Sequence, residues 1–420
     1  MHRLLSVGVL VALGFTTLVA PSFAEAPAPA AVPVSSGYVS KLGADRWHKA
    51  GIRGKGVKVA VLDTGFRGWK DHLGKALPAN VTAKSFRADG DLEARDSQHG
   101  ILCGEVIHSI APDAELLFAN WDSGHHEQFL AAIQWAKDNG AQVISCSCIM
   151  PSWSDGLGGG TVHTELKKLL GNGEHTGDLI CFASAGNTTD RHWAGKFADS
   201  GDGFHAWEKG KIDNNLRPWF EGDVAVELYG KAGGSYEVIV LDAASNKEIG
   251  RAATNPKCTD RLSAAVRFPP ESGHSYKVRV RHTGGPAGEF HVTTTFGSLE
   301  TTTAGANVCF PGDGSEVVAV GAVDSDGHRQ PYSACGTNLK ETKPDISACV
   351  PVPSAFRAKS FGGTSAACPQ AAAIATLCLS KHPDWTPVKV RDSLKNSALD
   401  LGAVGPDPET GYGLIQLPKE

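Results

Sequence analysis

The chain has 420 residues, 41% of them hydrophobic. That is enough to bury a large core and build more than one domain, which excludes a disordered or fibrous protein. Its formal net charge is −5 and its lysines and arginines form no cluster, which excludes the electrostatic footprint of a nucleic-acid-binding protein.

The amino terminus reads as an export signal. MHR supplies positive charge, residues 4–20 are apolar, and Ser22-Phe23-Ala24 forms a small-residue cleavage site, so residues 1–24 are expected to be removed and the protein secreted or placed in the periplasm or cell envelope. A retained membrane anchor is the alternative. Residues 25–37 form a Pro/Ala-rich linker. Residues 57–62 are an almost unbroken apolar run, expected to form a strand buried on both faces of a parallel sheet, with Asp63 at its carboxyl end. Thr64-Gly65 then lets the chain turn without a large side chain in the way. After His99, the apolar spacing of Ile101, Leu102, Val106, Ile107 and Ile110 predicts a helix closed by Pro112, with His99 in its first turn.

Further helices are expected over 126–139 and 387–397, the latter capped by Thr386. Ser184-Ala185-Gly186-Asn187 follows another apolar run. Between Asn187 and Val308, segments beginning at Val224, Ser235, Leu262, Tyr276 and Glu289 alternate with period two and are separated by glycine-rich turns, which predicts an antiparallel β-sandwich or jelly roll. On one of them Lys277, Arg279 and Arg281 form a basic stripe, read as a solvated face. The stretch before the sandwich reads as a linker; there Asp199 and Asp202 are weak calcium candidates, although Asp/Gly runs form plain turns without metal, and Asp324 and Asp326 invite the same reading. Thr364 and Ser365 open a small-residue helix over 366–380, in which Pro369 is expected to be tolerated because early helix amides lack partners. A serine there gains the field of the helix amino terminus.

Ten cysteines are present. Cys146, Cys148, Cys181 and Cys378 fall in apolar patterns and read as small buried hydrophobes. Cys309 and Cys335, in loop-like segments, are the pair to test first for a disulfide. Cys103 and Cys368 follow His99 and Ser365 closely enough to line a site, with packing as the expected role. No paired metal-ligand spacing occurs.

Taken singly, LDTG fits any strand end and SAGN any turn. Together, VAVLDTG, DSQHG, SAGN and FGGTSAACP, in that order, resemble the subtilisin-like serine peptidases over 38–187 and 304–416. VAVGAV at 318–323, KPDIS at 343–347 and the Tyr412-Gly413 segment resemble later landmarks of that family. The resemblance implies an α/β fold, a mostly parallel sheet flanked by helices, split into 38–200 and 301–420 by the inserted sandwich at 201–300. It implies that Asp63 orients His99, that His99 is general base and then general acid, that Ser365 is the nucleophile, and that Asn187 with the Ser365 amide binds the oxyanion. The substrate strand would be lined by Ser147, Cys148, Ile149, Ser184, Ala185 and Gly186. The substrate would be a protein or peptide, cleaved through an acyl-enzyme without a required cofactor, calcium being possible.

Departures from the family pattern bear on specificity. Ile149 stands where the family carries a glycine, Gly100-Ile101-Leu102 replaces GTH, and Gln370 replaces a histidine. Between the cleavage site and Tyr38 there is no room for the folding propeptide many secreted members carry, so folding without one is expected. The insert leaves just after Asn187 and is expected to overhang the cleft. Two other readings remain open: a sedolisin-like carboxyl peptidase, against which His99 and Asn187 argue, and a catalytically inactive subtilase-fold binding module.

Overall fold

The computed structural model describes residues 40, 42–219, 222–255, 257–336 and 342–418; the expected signal peptide and Pro/Ala-rich linker lie outside the described residues. In chain order the elements are α1 (Ala44–Lys49), β1 (Lys58–Leu62), β2 (Val81–Ser85), α2 (His99–Ile110), β3 (Glu115–Asn120), α3 (His126–Asp138), β4 (Val143–Cys146), α4 (Thr161–Leu170) and β5 (Ile180–Ser184). There follow β6 (His192–Lys196), β7 (Asn214–Pro218), β8 (Val224–Lys231), β9 (Ser235–Asp242), β10 (Glu248–Ala253), β11 (Arg261–Phe268), β12 (Tyr276–Gly284), β13 (Glu289–Thr295) and β14 (Gly297–Leu299). The chain ends with β15 (Val317–Val323), β16 (Ile346–Cys349), α5 (Thr364–Lys381) and α6 (Pro387–Ser397).

A seven-stranded sheet runs in the order β16-β15-β5-β4-β1-β3-β2, and every pairing in it is parallel. The alternation in β1 shows why its sequence is apolar throughout: Val59 and Val61 pack into one core with α2 and α5, while Ala60 and Leu62 pack into the other with α3. A strand covered on both faces has no polar side to spare. Thr386 caps α6 as expected, its side chain accepting the Lys389 amide at 3.3 Å.

The chain moves from β1 to β3 and β2 on one side and to β4 and β5 on the other, so the carboxyl end of β1 is the switch point where α/β sheets open a crevice.

Between β5 and β15 the chain builds two antiparallel sheets, β10-β9-β12-β7-β14 and β11-β8-β13-β6, packed around Leu216, Val226, Tyr236, Val278 and Phe290. The segment read as a linker contributes a strand: His192–Lys196 pairs with β13. Its HWAGK sequence lacks alternation, and the sheet forms through long-range pairing instead. In the basic stripe, Lys277 and Arg279 both pair with Asp213, at 3.5 and 2.5 Å, and the guanidinium of Arg281 lies over the Phe204 ring.

All ten cysteines are free, which corrects the Cys309–Cys335 pairing. Both are buried on opposite sides of Asn307: the Cys309 thiol lies 3.5 Å from the Asn307 carbonyl, while the Cys335 amide donates to Asn307 Oδ1 at 2.7 Å.

Candidate active site

Asp63 ends β1 and is 1% exposed. Its Oδ1 accepts the amides of Thr64 and Gly65 at 2.7 and 3.0 Å, which fixes the carboxylate and leaves Oδ2 for His99 Nδ1, 2.7 Å away. His99 begins α2, its amide accepted by Ser97 Oγ at 3.2 Å, and the edge of its ring meets Phe361. Burial works to lower the imidazole pKa, but the Asp63 carboxylate outweighs it and holds the pKa well above 6.5. Cys103 sits one turn on, fully buried, its sulfur 3.9 Å from Asp63 Oδ2 and 3.7 Å from the Ser365 carbonyl. Burial pushes its thiol pKa up, against the neighbouring imidazole, so it stays protonated and fills space beneath the ring.

Ser365 lies in the first turn of α5, and its hydroxyl donates to the Ser147 carbonyl at 3.3 Å rather than to His99. Pro369 lies deeper in the helix than its expected tolerance allowed. It is the partner the Ser365 carbonyl would have had at i+4, and a proline offers no N–H. The Ser147 hydroxyl takes over, donating to that carbonyl at 3.0 Å. Ser147 and Ser365 are thus joined in both directions, and the buried carbonyl is satisfied.

Asn187 is positioned through its oxygen: Oδ1 accepts the Thr364 amide at 3.0 Å and the Thr364 hydroxyl at 2.9 Å. This turns the amide nitrogen toward the start of α5, and a β-carbon on Gly363 would come 2.9 Å from it. The Asn187 carbonyl is held by the Arg191 guanidinium. Ser97 and Arg191 are not singled out by the sequence, which reads Thr364 only as opening the helix with Ser365, without a part in holding Asn187.

Of the residues expected to line the substrate strand, Ser147 contacts Ser365 directly. Ile149 reaches across to the other segment, its Cγ2 3.6 Å from where a Gly186 β-carbon would stand. Ala185 is fully buried, its amide bound to Val320 O at 3.0 Å, and Ser184 is 2% exposed. Cys148 is half-buried and packs beside the core that holds α3. Cys368 lies under the sheet, 3.6 Å from Ser145 Oγ, and the buried Gln370 amide spans the Cys349 and Ala366 carbonyls at 3.0 and 2.8 Å.

The two groups of calcium candidates differ in geometry. Asp199 Oδ1 accepts the amides of Gly201 and Gly203, both at 3.0 Å, and Asp202 accepts Ser200 Oγ and the Phe204 amide. Neither joins a third ligand-type side chain among the described residues. Asp324 Oδ1 also accepts two amides of its own turn, at 2.9 and 3.0 Å, but here Asp324, Asp326 and His328 bring three ligand-type atoms within 4.8 Å of one another.

A parallel sheet whose switch point holds an Asp–His pair, with a serine at the amino terminus of a helix beside it, defines a subtilisin-like α/β protein. The subtilase family description matches residues 54–262 and 281–413, and the chain belongs to the subtilase family. It is 38% identical to alkaline elastase YaB of Bacillus sp. (strain YaB) over 109 residues, covering 26% of this chain and 28% of that protein. It is also 38% identical to subtilisin E of Bacillus subtilis (strain 168) over 97 residues, covering 23% of this chain and 25% of that one. The chain thus spans about a quarter of the length of the curated relatives it matches. The fold is shared with the Clostridium perfringens CspB protease structure at a TM-score of 0.59, 14% identity, and coverage of 89% of this chain and 95% of that one.

Proposed function

We propose that this protein is an exported serine endopeptidase in which Asp63, His99 and Ser365 form the triad and Asn187 binds the oxyanion. The observation that carries the reading is the 2.7 Å bond between Asp63 and His99 Nδ1, which leaves Nε2 as the basic nitrogen facing the cleft. Rotation of Ser365 away from the Ser147 carbonyl brings its hydroxyl to that nitrogen; such contacts are commonly loose before substrate binds. Ser365 Oγ then attacks the scissile carbonyl while His99 accepts its proton, and the oxygen that gains charge is met by Asn187 Nδ2 and the Ser365 amide at the start of α5. His99 returns the proton to the leaving amine, and water repeats the sequence to release the acyl group. An extended peptide supplies the substrate, held by backbone pairing along 147–149 and 184–186. The amino-terminal charge and apolar run support export.

A second reading, an inactive binding module, draws on the Ser365 hydroxyl being engaged by Ser147 rather than by His99. Incubation with a serine-directed fluorophosphonate, with Ser365→Ala in parallel, separates the two. The triad reading expects labelling of the wild type alone; an unlabelled, folded wild type would overturn it in favour of the binding module.

A further inference from the structure

A second cleft opens where the insert meets the core. It has a volume of about 470 Å³ and is walled on one side by the starts of α3 and α4 and by Ser152-Trp153, and on the other by the β10–β11 turn and β11 of the insert. It lies at the same carboxyl edge of the sheet as Asp63. Ser152 is five residues past Ser147, whose carbonyl accepts the Ser365 hydroxyl, so the cleft begins at most roughly 17 Å from Ser147, within the span of about five residues of an extended peptide.

The charge in this cleft is unbalanced. Its wall contains His126, Lys257, Arg261 and Arg267 but one carboxylate, Asp260. That carboxylate is already satisfied: its Oδ2 accepts the Thr161 amide and hydroxyl at the start of α4, at 2.5 and 2.7 Å, and Arg261 Nη1 at 3.0 Å. Arg261 is nearly buried and also donates to the Ser152 carbonyl at 3.1 Å. Arg267 keeps 41% of its side chain exposed while one nitrogen holds Glu227 at 2.7 Å, and Glu227 turns its other oxygen to Ser152. Lys257 is exposed and makes no ion pair among the described residues. The core and the insert are therefore stitched together by Asp260, Arg261 and Glu227, and Lys257 and the free face of Arg267 point positive charge into the gap.

We propose that this cleft is a remote substrate subsite that takes an aspartate or glutamate side chain within about five residues of the scissile bond, with Lys257 and Arg267 as its specificity determinants. The proposal rests on the peptidase reading above. It makes the insert a part of the substrate channel and selects acidic segments through field complementarity.

The test uses the full chain carrying Ser365→Ala and fluorescein-labelled Ala/Ser-rich peptides in which one glutamate, or one glutamine in its place, is moved along the sequence. Binding is read by anisotropy, and the cleaved bond is located separately with the wild type by mass spectrometry. We expect the glutamate peptide to bind about five- to tenfold more tightly than its glutamine twin at one position, within about five residues of the cleaved bond, with the difference shrinking at about 0.5 M salt. Lys257→Glu is expected to reverse the order. Equal binding of the twins at every position, or a glutamate preference that survives Lys257→Glu, overturns the subsite. A glutamate preference abolished by Lys257→Glu, in a wild type that neither cleaves nor takes up fluorophosphonate, would uphold the acid-binding cleft while removing the peptidase reading.

Discussion

Gly100 and Asp63 are packed so closely that a methyl group on the glycine would stand 2.9 Å from the Asp63 β-carbon and 2.5 Å from the Phe66 ring. The residue after His99 is therefore small because the helix start is pressed against the end of β1, and the same contact sets how far the imidazole sits from its carboxylate.

Gly100→Ala should accordingly damage the site although alanine is the better helix former by about 1 kcal/mol. We expect fluorophosphonate labelling of Ser365 to slow by roughly 100-fold, the order of loss that an ångström of misplacement brings. Phe66→Ala in the same chain should restore part of the rate. An unchanged rate in the single variant would show that Phe66 and β1 yield without disturbing the triad.

The high pKa of His99 sets the pH profile. Asp63 holds the imidazole pKa well above 6.5, so with His99 as the proposed base activity should rise with pH to a half-maximum above that value. Labelling rates across the neutral and alkaline range check this; a half-maximum at or below pH 6.5 would contradict it. Asp63→Asn should lower kcat by about 10⁴-fold through loss of the orienting carboxylate.

Ile149 closes the gap toward Gly186, and in the proposed binding mode the side chain next to the scissile carbonyl lies there. Peptides with glycine or alanine at that position should be the better substrates of the wild type, and Ile149→Gly should raise kcat/KM for leucine or phenylalanine there by about tenfold or more. A wild type that already prefers phenylalanine would place that side chain elsewhere.

In the proposed mechanism, Asn187→Ala removes a donor to the developing oxyanion. It should lower kcat by roughly 100- to 1000-fold with little change in KM. Because Asn187 Oδ1 also accepts the Thr364 amide and hydroxyl, the variant should lose about 1–2 kcal/mol of stability as well. Loss of stability with full activity would assign Asn187 to positioning alone.

Two buried histidine groups give stability opposite pH dependences. Burial would lower the His163 pKa, but Asp313 and Glu316, at 2.9 and 2.6 Å, raise it to about 9. Its stabilising contribution is complete below pH 6.5 and is lost as pH rises through about 9. Burial lowers His291, in contact with His192 at 2.9 Å, to about 4, so its contribution is present above pH 6.5 and is lost as pH falls through about 4. Urea midpoints should fall on both sides, His163→Gln flattening the alkaline limb and His291→Gln the acid limb.

Where chemistry and local structure share a few consecutive residues, the sequence was legible. Asp63 after an apolar run, His99 at a helix start and Ser365 at another were readable because each depends on its own segment, and the five alternating runs at β8, β9, β11, β12 and β13 announced the sandwich. What could not be read were associations at a distance. β6 and β7 are strands by virtue of their partners in β13 and β12. The His163–Asp313–Glu316 group joins residues about 150 positions apart. The carbonyl freed by Pro369 meets Ser147 from another element. The cleft at Lys257 needs both the insert and the core, and neither segment carries a motif for it.

The insert enters and leaves the core as a closed clasp: Leu299 donates to the Asp190 carbonyl and Thr303 to that of His192, each at 3.0 Å, while β6 pairs with β13. Without that clasp, joining β5 to β15 would mean closing a very long loop, at an entropic cost paid before any sheet contact forms. A sandwich that folds on its own core delivers the two strands side by side. The half of the chain bearing Ser365 is thereby brought to the half bearing His99, so the sandwich acts as the spacer that sets the two halves of the proposed site side by side.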